Sequence, residues 1–159
     1  MRSAAWASSA PSSAERRSTI QSGYESSVAR SSGSGQGGPA ADYRALPRVT
    51  FTDPEIGAVG LTEEEARERG IAVRTGYTDL TGATRGWIHK AGNEGFIKLV
   101  ADTDRSVLVG ATSAGPVGGE VLGALAVAVH GQVPIARLAS MIYAYPTFHR
   151  AIQAAVKEL

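Results

Sequence analysis

The run Leu46-Pro47-Arg48-Val49-Thr50-Phe51-Thr52-Asp53-Pro54-Glu55-Ile56-Gly57-Ala58-Val59-Gly60-Leu61-Thr62-Glu63-Glu64-Glu65-Ala66 constrains this chain more than any other stretch. Val49 and Phe51 alternate with Thr50 and Thr52, the two-residue period of a half-buried strand. Asp53-Pro54-Glu55 forms a tight turn into a second strand that ends near Leu61. Thr62 and Glu65 then stand at the N-cap and N3 positions of a helix, where each satisfies a backbone N–H that a helix start leaves unpaired. Leu61 and Ala66 occupy the staple positions, with alanine a small partner. Propensity, turn chemistry and capping agree here, which marks the start of a folded domain.

Downstream, the pattern predicts strands at 48–52 and 57–61 and a helix at 63–69 that Gly70 stops at its C′ position. Ile71 to Leu80 reads as a strand with Val73, Thr75 and Tyr77 on one face. Thr81 to Gly86 is a loop or short helical turn, and Trp87 to Lys90 reads as another short strand. Gly92-Asn93-Glu94-Gly95 turns into a strand at 96–101, and Asp102 to Arg105 joins it to a strand at 106–113 as an antiparallel hairpin. After Gly115-Pro116 the period changes: Val117, Val121, Leu122, Leu125 and Val129 form a helical stripe. Pro134 opens a short helix at Ile135 to Ser140. Thr147 caps a last helix with Phe148, Ile152, Ala155 and Val156 on one face. Strands segregated from helices predict an α+β domain over 41–159, an antiparallel sheet covered by helices on one side.

Residues 1–40 differ in kind. Serines, glycines and scattered arginines follow one another without an apolar period, so this stretch is expected to be a disordered tail. An organelle transit role is disfavoured by Glu15 and Glu25 and by arginines that form no amphipathic stripe.

Composition excludes several functions. A net charge of +1 gives no electrostatic case for nucleic acid or an acidic membrane surface. The chain has no cysteine, which rules out dithiol redox chemistry carried on it. No apolar run approaches the roughly 20 residues that span a bilayer, and a cytoplasmic location is the expectation. His89 and His130 have no partner at metal-ligand spacing, so no metal site is expected. Trp87 and Phe96 read as core or interface aromatics.

The opening run resembles the start of the C-terminal dimerisation domain of the FAD-dependent pyridine nucleotide-disulfide oxidoreductases, the family of glutathione reductase, dihydrolipoamide dehydrogenase and mercuric reductase. That family's pattern is roughly Pro-x-Val-x-Phe-Thr-x-Pro-Glu, a few small residues, then Val-Gly-Leu-Thr-Glu. The resemblance continues through Gly95-Phe96-Ile97-Lys98-Leu99-Val100 and Val109-Gly110-Ala111 to Tyr145-Pro146-Thr147, over about residues 41 to 159.

The resemblance implies a site at 145–150. There, disulfide-reducing members carry His-Pro-Thr-x-x-Glu, a histidine base held by a glutamate and reaching into the partner's active site. This sequence reads Tyr-Pro-Thr-Phe-His-Arg, with Tyr145 at the histidine position and Arg150 at the glutamate position. Tyrosine is a poor base at neutral pH and arginine accepts no hydrogen bond, so the dyad is lost. His149 is a possible replacement base, against a plainer reading as a surface or interface residue at the helix start. The bond before Pro146 is expected to be cis, and Tyr145 and Pro146 are expected to line the flavin of a partner chain.

The family's upstream dinucleotide-binding signatures do not occur in this sequence. Gly33-Ser34-Gly35-Gln36-Gly37-Gly38 has glycines of the Gly-x-Gly type but neither the strand before nor the helix after that gives the motif its meaning. The resemblance therefore implies a separated or truncated dimerisation domain of a flavin-dependent NAD(P)H oxidoreductase. Such a part binds neither FAD nor NAD(P) alone and is inactive in isolation. It self-associates as a homodimer, or joins a flavoprotein partner, through the faces of 117–129 and 147–156. The alternative is a stand-alone interaction module without redox activity.

Overall fold

A computed structural model describes residues 42–159; the disordered tail expected at 1–40 lies outside the described residues. A 3-10 turn at Tyr43–Ala45 leads into five strands: β1 (Pro47–Thr50), β2 (Glu55–Gly60), β3 (Val73–Asp79), β4 (Phe96–Asp102) and β5 (Val107–Gly115). They form one antiparallel sheet in the order β1-β2-β5-β4-β3. Five helices accompany it: α1 (Glu63–Glu68), α2 (Thr84–His89), α3 (Gly118–His130), α4 (Ile135–Ser140) and α5 (Arg150–Lys157).

Strand alternation assigns the two faces of the sheet. Val59, Ala111 and Leu99 lie opposite one another across β2, β5 and β4, and all are buried against the helices. Val121, Leu122 and Leu125 of α3 and Ile152, Ala155 and Val156 of α5 close the same core. The predicted helical stripes are thus consumed inside the domain, so the self-association expected through 117–129 and 147–156 cannot use these side chains. Each of the valine, leucine and isoleucine side chains among them contributes about 1.5–3 kcal/mol on burial.

Glycines set how closely the helices approach. A Cβ on Gly57 of β2 would stand 3.0 Å from Leu122 Cδ2 of α3, and one on Gly76 of β3 would collide with the Ala155 carbonyl of α5. On the opposite face, α1 sits at one corner, tied down by Lys98 Nζ donating to Glu63 Oε2 at 2.7 Å.

Helix α1 follows the sequence closely. The Thr62 hydroxyl accepts from Glu65 N at 3.1 Å and Thr62 N donates to Glu65 Oε2 at 2.7 Å, a complete capping box. Gly70 adopts φ +73°. Its N–H donates to the Arg67 carbonyl while Ile71 donates to Ala66, the paired bonds of a Schellman ending. In the β4–β5 loop, Asp102 Oδ1 accepts from the N–H groups of Asp104 and Arg105 at 3.0 and 3.1 Å, which fixes the turn.

Two expectations fail. Residues 87–90 are not a strand: Trp87 to His89 complete α2 and Lys90 caps it, with the Trp87 and Lys90 N–H groups donating back to the Ala83 and Gly86 carbonyls rather than across to a strand. Asn93 Nδ2 instead donates to the Gly86 carbonyl at 2.8 Å and closes the end of that helix. Trp87 is accordingly 76% exposed and belongs to no core. Phe51, expected to alternate inward with Val49, lies past the last β1 pair, Thr50 with Ile56, and is exposed where the chain turns.

Gly76→Ala is expected to destabilise the domain by about 2 kcal/mol or more, because α5 must lift from β3. Ser113 is fully buried with a hydroxyl that finds no hydrogen-bond partner among the described residues. Ser113→Ala should therefore be neutral or stabilising by about 1 kcal/mol. Chemical denaturation of both variants checks this, and a neutral Gly76→Ala would contradict the close approach.

The Lys98 ammonium, and after it Arg67, hold the Glu63 carboxyl below its ordinary range. A carboxyl depressed by folding stabilises the native state above the unfolded pKa, and the gain is lost as pH falls through the folded value. Glu63→Gln should narrow the difference in melting temperature between neutral pH and about pH 3 relative to the unsubstituted chain. An unchanged difference would mean that the pair contributes nothing.

Candidate functional site

The turn at 145–150 is built from the backbone outward. Tyr143 is buried and its hydroxyl donates to the Leu138 carbonyl at 3.2 Å, which pins the entrance of the turn to α4. Burial pushes its phenol above the usual tyrosine range. The Tyr145–Pro146 peptide bond is cis, as the resemblance implies. Thr147 Oγ1 donates to the Ala144 carbonyl at 2.7 Å and accepts from Arg150 N at 3.2 Å, so Thr147 caps the helix entry as the sequence predicts. The first bonds after it are of the i→i+3 kind, and α5 proper begins only at Arg150. Phe148 and Ile152 enter the core and hold the turn from below.

Tyr145 stands on the surface, 67% exposed, with its hydroxyl donating to Thr84 Oγ1 at 3.2 Å. That bond spans two distant parts of the chain and joins the turn to α2. Between them lies an open cleft of about 450 Å³. Thr78 and Asp79 at the end of β3, Ala83 at the cap of α2, Thr84 and Arg85 in its first turn, and Tyr145, Pro146, Thr147, Arg150 and Lys157 all line it.

The structure thus brings Tyr145, Pro146 and Arg150 to one concavity. His149 is half-buried at the helix start and is not among the lining residues, which leaves it without access to that space. The His89 ring packs edge-on against Phe148, centroids 5.8 Å apart, a structural role. His130 lies in the last turn of α3, and among the described residues no three His, Cys, Asp or Glu side chains gather as a metal site would require.

Sequence reasoning missed Thr84, Arg85, Asp79 and Lys157. They carry no local motif, and only the packing of α5 against β3 and the Tyr145–Thr84 bond bring them together.

What the turn can do chemically follows from its side chains. It presents the Tyr145 phenol and the Arg150 guanidinium, an aromatic surface with hydrogen-bond donors. No strand–helix–parallel-strand crossover, the unit on which a doubly wound dinucleotide site is built, occurs among the described residues.

Comparison with known proteins agrees with the fold. The family model described as "Pyridine nucleotide-disulphide oxidoreductase, dimerisation domain" matches residues 46–156. The chain is 35% identical over 122 residues to dihydrolipoyl dehydrogenase 3 of Haloarcula marismortui, a match that takes in 76% of this chain and 25% of that protein. It superposes on LpdA of Mycobacterium tuberculosis with a TM-score of 0.71 and 27% identity, over 77% of this chain and 27% of the other. The HOCl-induced flavoprotein disulfide reductase RclA of Escherichia coli shares the fold, with a TM-score of 0.75 and 21% identity over 87% of this chain and 32% of that one. This chain spans about a quarter of the length of the curated relatives it matches. Sheet order, capped α1, the cis turn and these matches place the chain in the pyridine nucleotide-disulfide oxidoreductase family, as its dimerisation domain.

Proposed function

We propose that this chain works within a homodimeric, flavin-dependent NAD(P)H oxidoreductase, its Tyr145–Thr147 turn lining a flavin held by the partner rather than catalysing alone. The observation that carries the dimer is the outward side of α3. Its inward stripe already fills the core, yet the outward positions Gly123, Ala124 and Val127 are also apolar, with Val127 68% exposed. Only Glu120 and His130 are polar in that helix, and a helix that is apolar all round belongs to a covered environment. Nothing lies within 4 Å of a Cβ placed on Gly123, so a second backbone can come close there. Met141 and the 97% exposed Ile142, just beyond α4, add further uncovered apolar surface. A second copy covering this surface about a two-fold axis gives a self-complementary contact.

The flavin reading rests on the exposed turn and on the family. The antiparallel sheet offers no dinucleotide cradle, so in this reading both FAD and NAD(P) are held by residues other than 42–159. Tyr145 contributes a ring edge and Pro146 backbone. Neither Tyr145 nor Arg150 replaces the lost histidine–glutamate pair, which favours a substrate that needs no thiol base at this position. A stand-alone dimerisation module without redox activity is the competing reading, and it shares the α3 interface.

Sedimentation at micromolar concentration should show a dimer, and Val127→Glu should shift it to a monomer that keeps the parent's circular dichroism spectrum and melts somewhat lower, as loss of a folded-state partner requires. A monomeric parent chain would overturn the interface. Mixed with FAD, NADPH and a disulfide substrate, the chain alone should not oxidise NADPH above the buffer control, as followed by near-ultraviolet absorbance. Turnover would show that a complete site exists within it.

A further inference from the structure

The cleft beside Tyr145 has a charge balance that lining a flavin does not use. Its lining contains three cations, Arg85, Arg150 and Lys157, against one carboxylate, Asp79. None of the three is in an ion pair among the described residues. Asp79 is already engaged, since its Oδ1 accepts from the Tyr77 hydroxyl at 3.0 Å. Thr84 Oγ1 accepts from Tyr145, which leaves its own proton free to donate, and Thr78 adds another hydroxyl to the wall.

Unpaired cations scattered on a surface are ordinary, because water and salt screen them. Here they arrive from two separate elements, α2 and α5, onto one concavity of about 450 Å³, a volume suited to a small molecule. A guanidinium offers a fork of donors that matches a carboxylate or phosphate in two-point contact. Concave walls around charges of one sign also concentrate the counter-charged ligand.

We propose that this cleft is an anion-binding subsite for a small molecule bearing a carboxylate or phosphate group. Arg150 is its principal contact, Arg85 faces it from α2, and Lys157 adds a third positive charge. The subsite goes beyond the flavin-lining role and does not depend on it, since every group named belongs to this chain.

The test uses the full chain, isotope-labelled and titrated by NMR with inorganic pyrophosphate, with citrate and with neutral glycerol. Saturable shifts are expected at Thr84, Arg85, Tyr145 and Arg150 with one or both anions and not with glycerol. The tighter of the two separates phosphate from carboxylate recognition. Arg150→Gln should weaken binding about tenfold, the loss of one charge-assisted contact, and Asp79→Asn should tighten it. Arg69→Gln removes the same charge from a separate cleft shared with Arg44, Arg48 and Arg105, and should leave the affinity unchanged. Arg150 is exposed, and a melting curve identical to the parent's confirms that its variant folds. The proposal is overturned if neither anion gives saturable shifts in the cleft, if glycerol matches them, or if Arg69→Gln weakens binding as much as Arg150→Gln.

Discussion

Close seating of α3 and α5 on one face of the sheet is the contact on which everything else in this domain depends. Gly57 beneath Leu122 and Gly76 beneath Ala155 lack the Cβ that would hold the helices away. With both helices down, the sheet face of Val59, Ile97, Leu99 and Ala111 is sealed from water, and the apolar stripes of the two helices are sealed with it. Close packing of this kind transmits displacement, because an interior at crystal-like density cannot absorb an extra methyl group without moving something.

Position of the 145–150 turn is one consequence. The turn leads directly into α5, with Phe148 and Ile152 in the core beneath it, so its place in space is set by how α5 lies on β3. The cleft exists for the same reason. Asp79 ends the strand on which α5 rests, α2 follows from that strand end, and the Tyr145–Thr84 hydrogen bond closes the gap between α2 and the turn. A site assembled this way sits on packed elements at its base and on exposed side chains at its rim, which suits a surface that meets another molecule.

Legibility in the sequence followed the range of the interactions involved. Helix α1 was readable to within a residue because its capping box and glycine stop are local hydrogen bonds between near neighbours. The β4–β5 hairpin was equally plain, since alternating strands and an Asp-led turn encode it. Residues 87–90 are hard to read because so short a run fits either period, and no capping side chain announces the helix: Ala83 at its N-cap makes no side-chain hydrogen bond. The burial of the 117–129 stripe was foreseen, but not its partner: amphipathicity says that a face is covered, never by what. At the candidate site, Tyr145, Pro146 and Arg150 came from a contiguous motif, whereas Arg85 and Asp79 lie dozens of residues away and enter only through tertiary packing.

The charge of Arg150 sets what the cleft can attract. A carboxylate there would repel anions, whereas a guanidinium attracts them and offers them a fork of donors. Because Arg150 opens α5, its charge sits at the end of the helix dipole that is itself positive, an arrangement that helix stability disfavours. No carboxylate among the described residues pairs with it to relieve that cost. Local stability therefore gives no account of this residue, whereas a negatively charged molecule in the cleft beside it relieves both the guanidinium and the helix end.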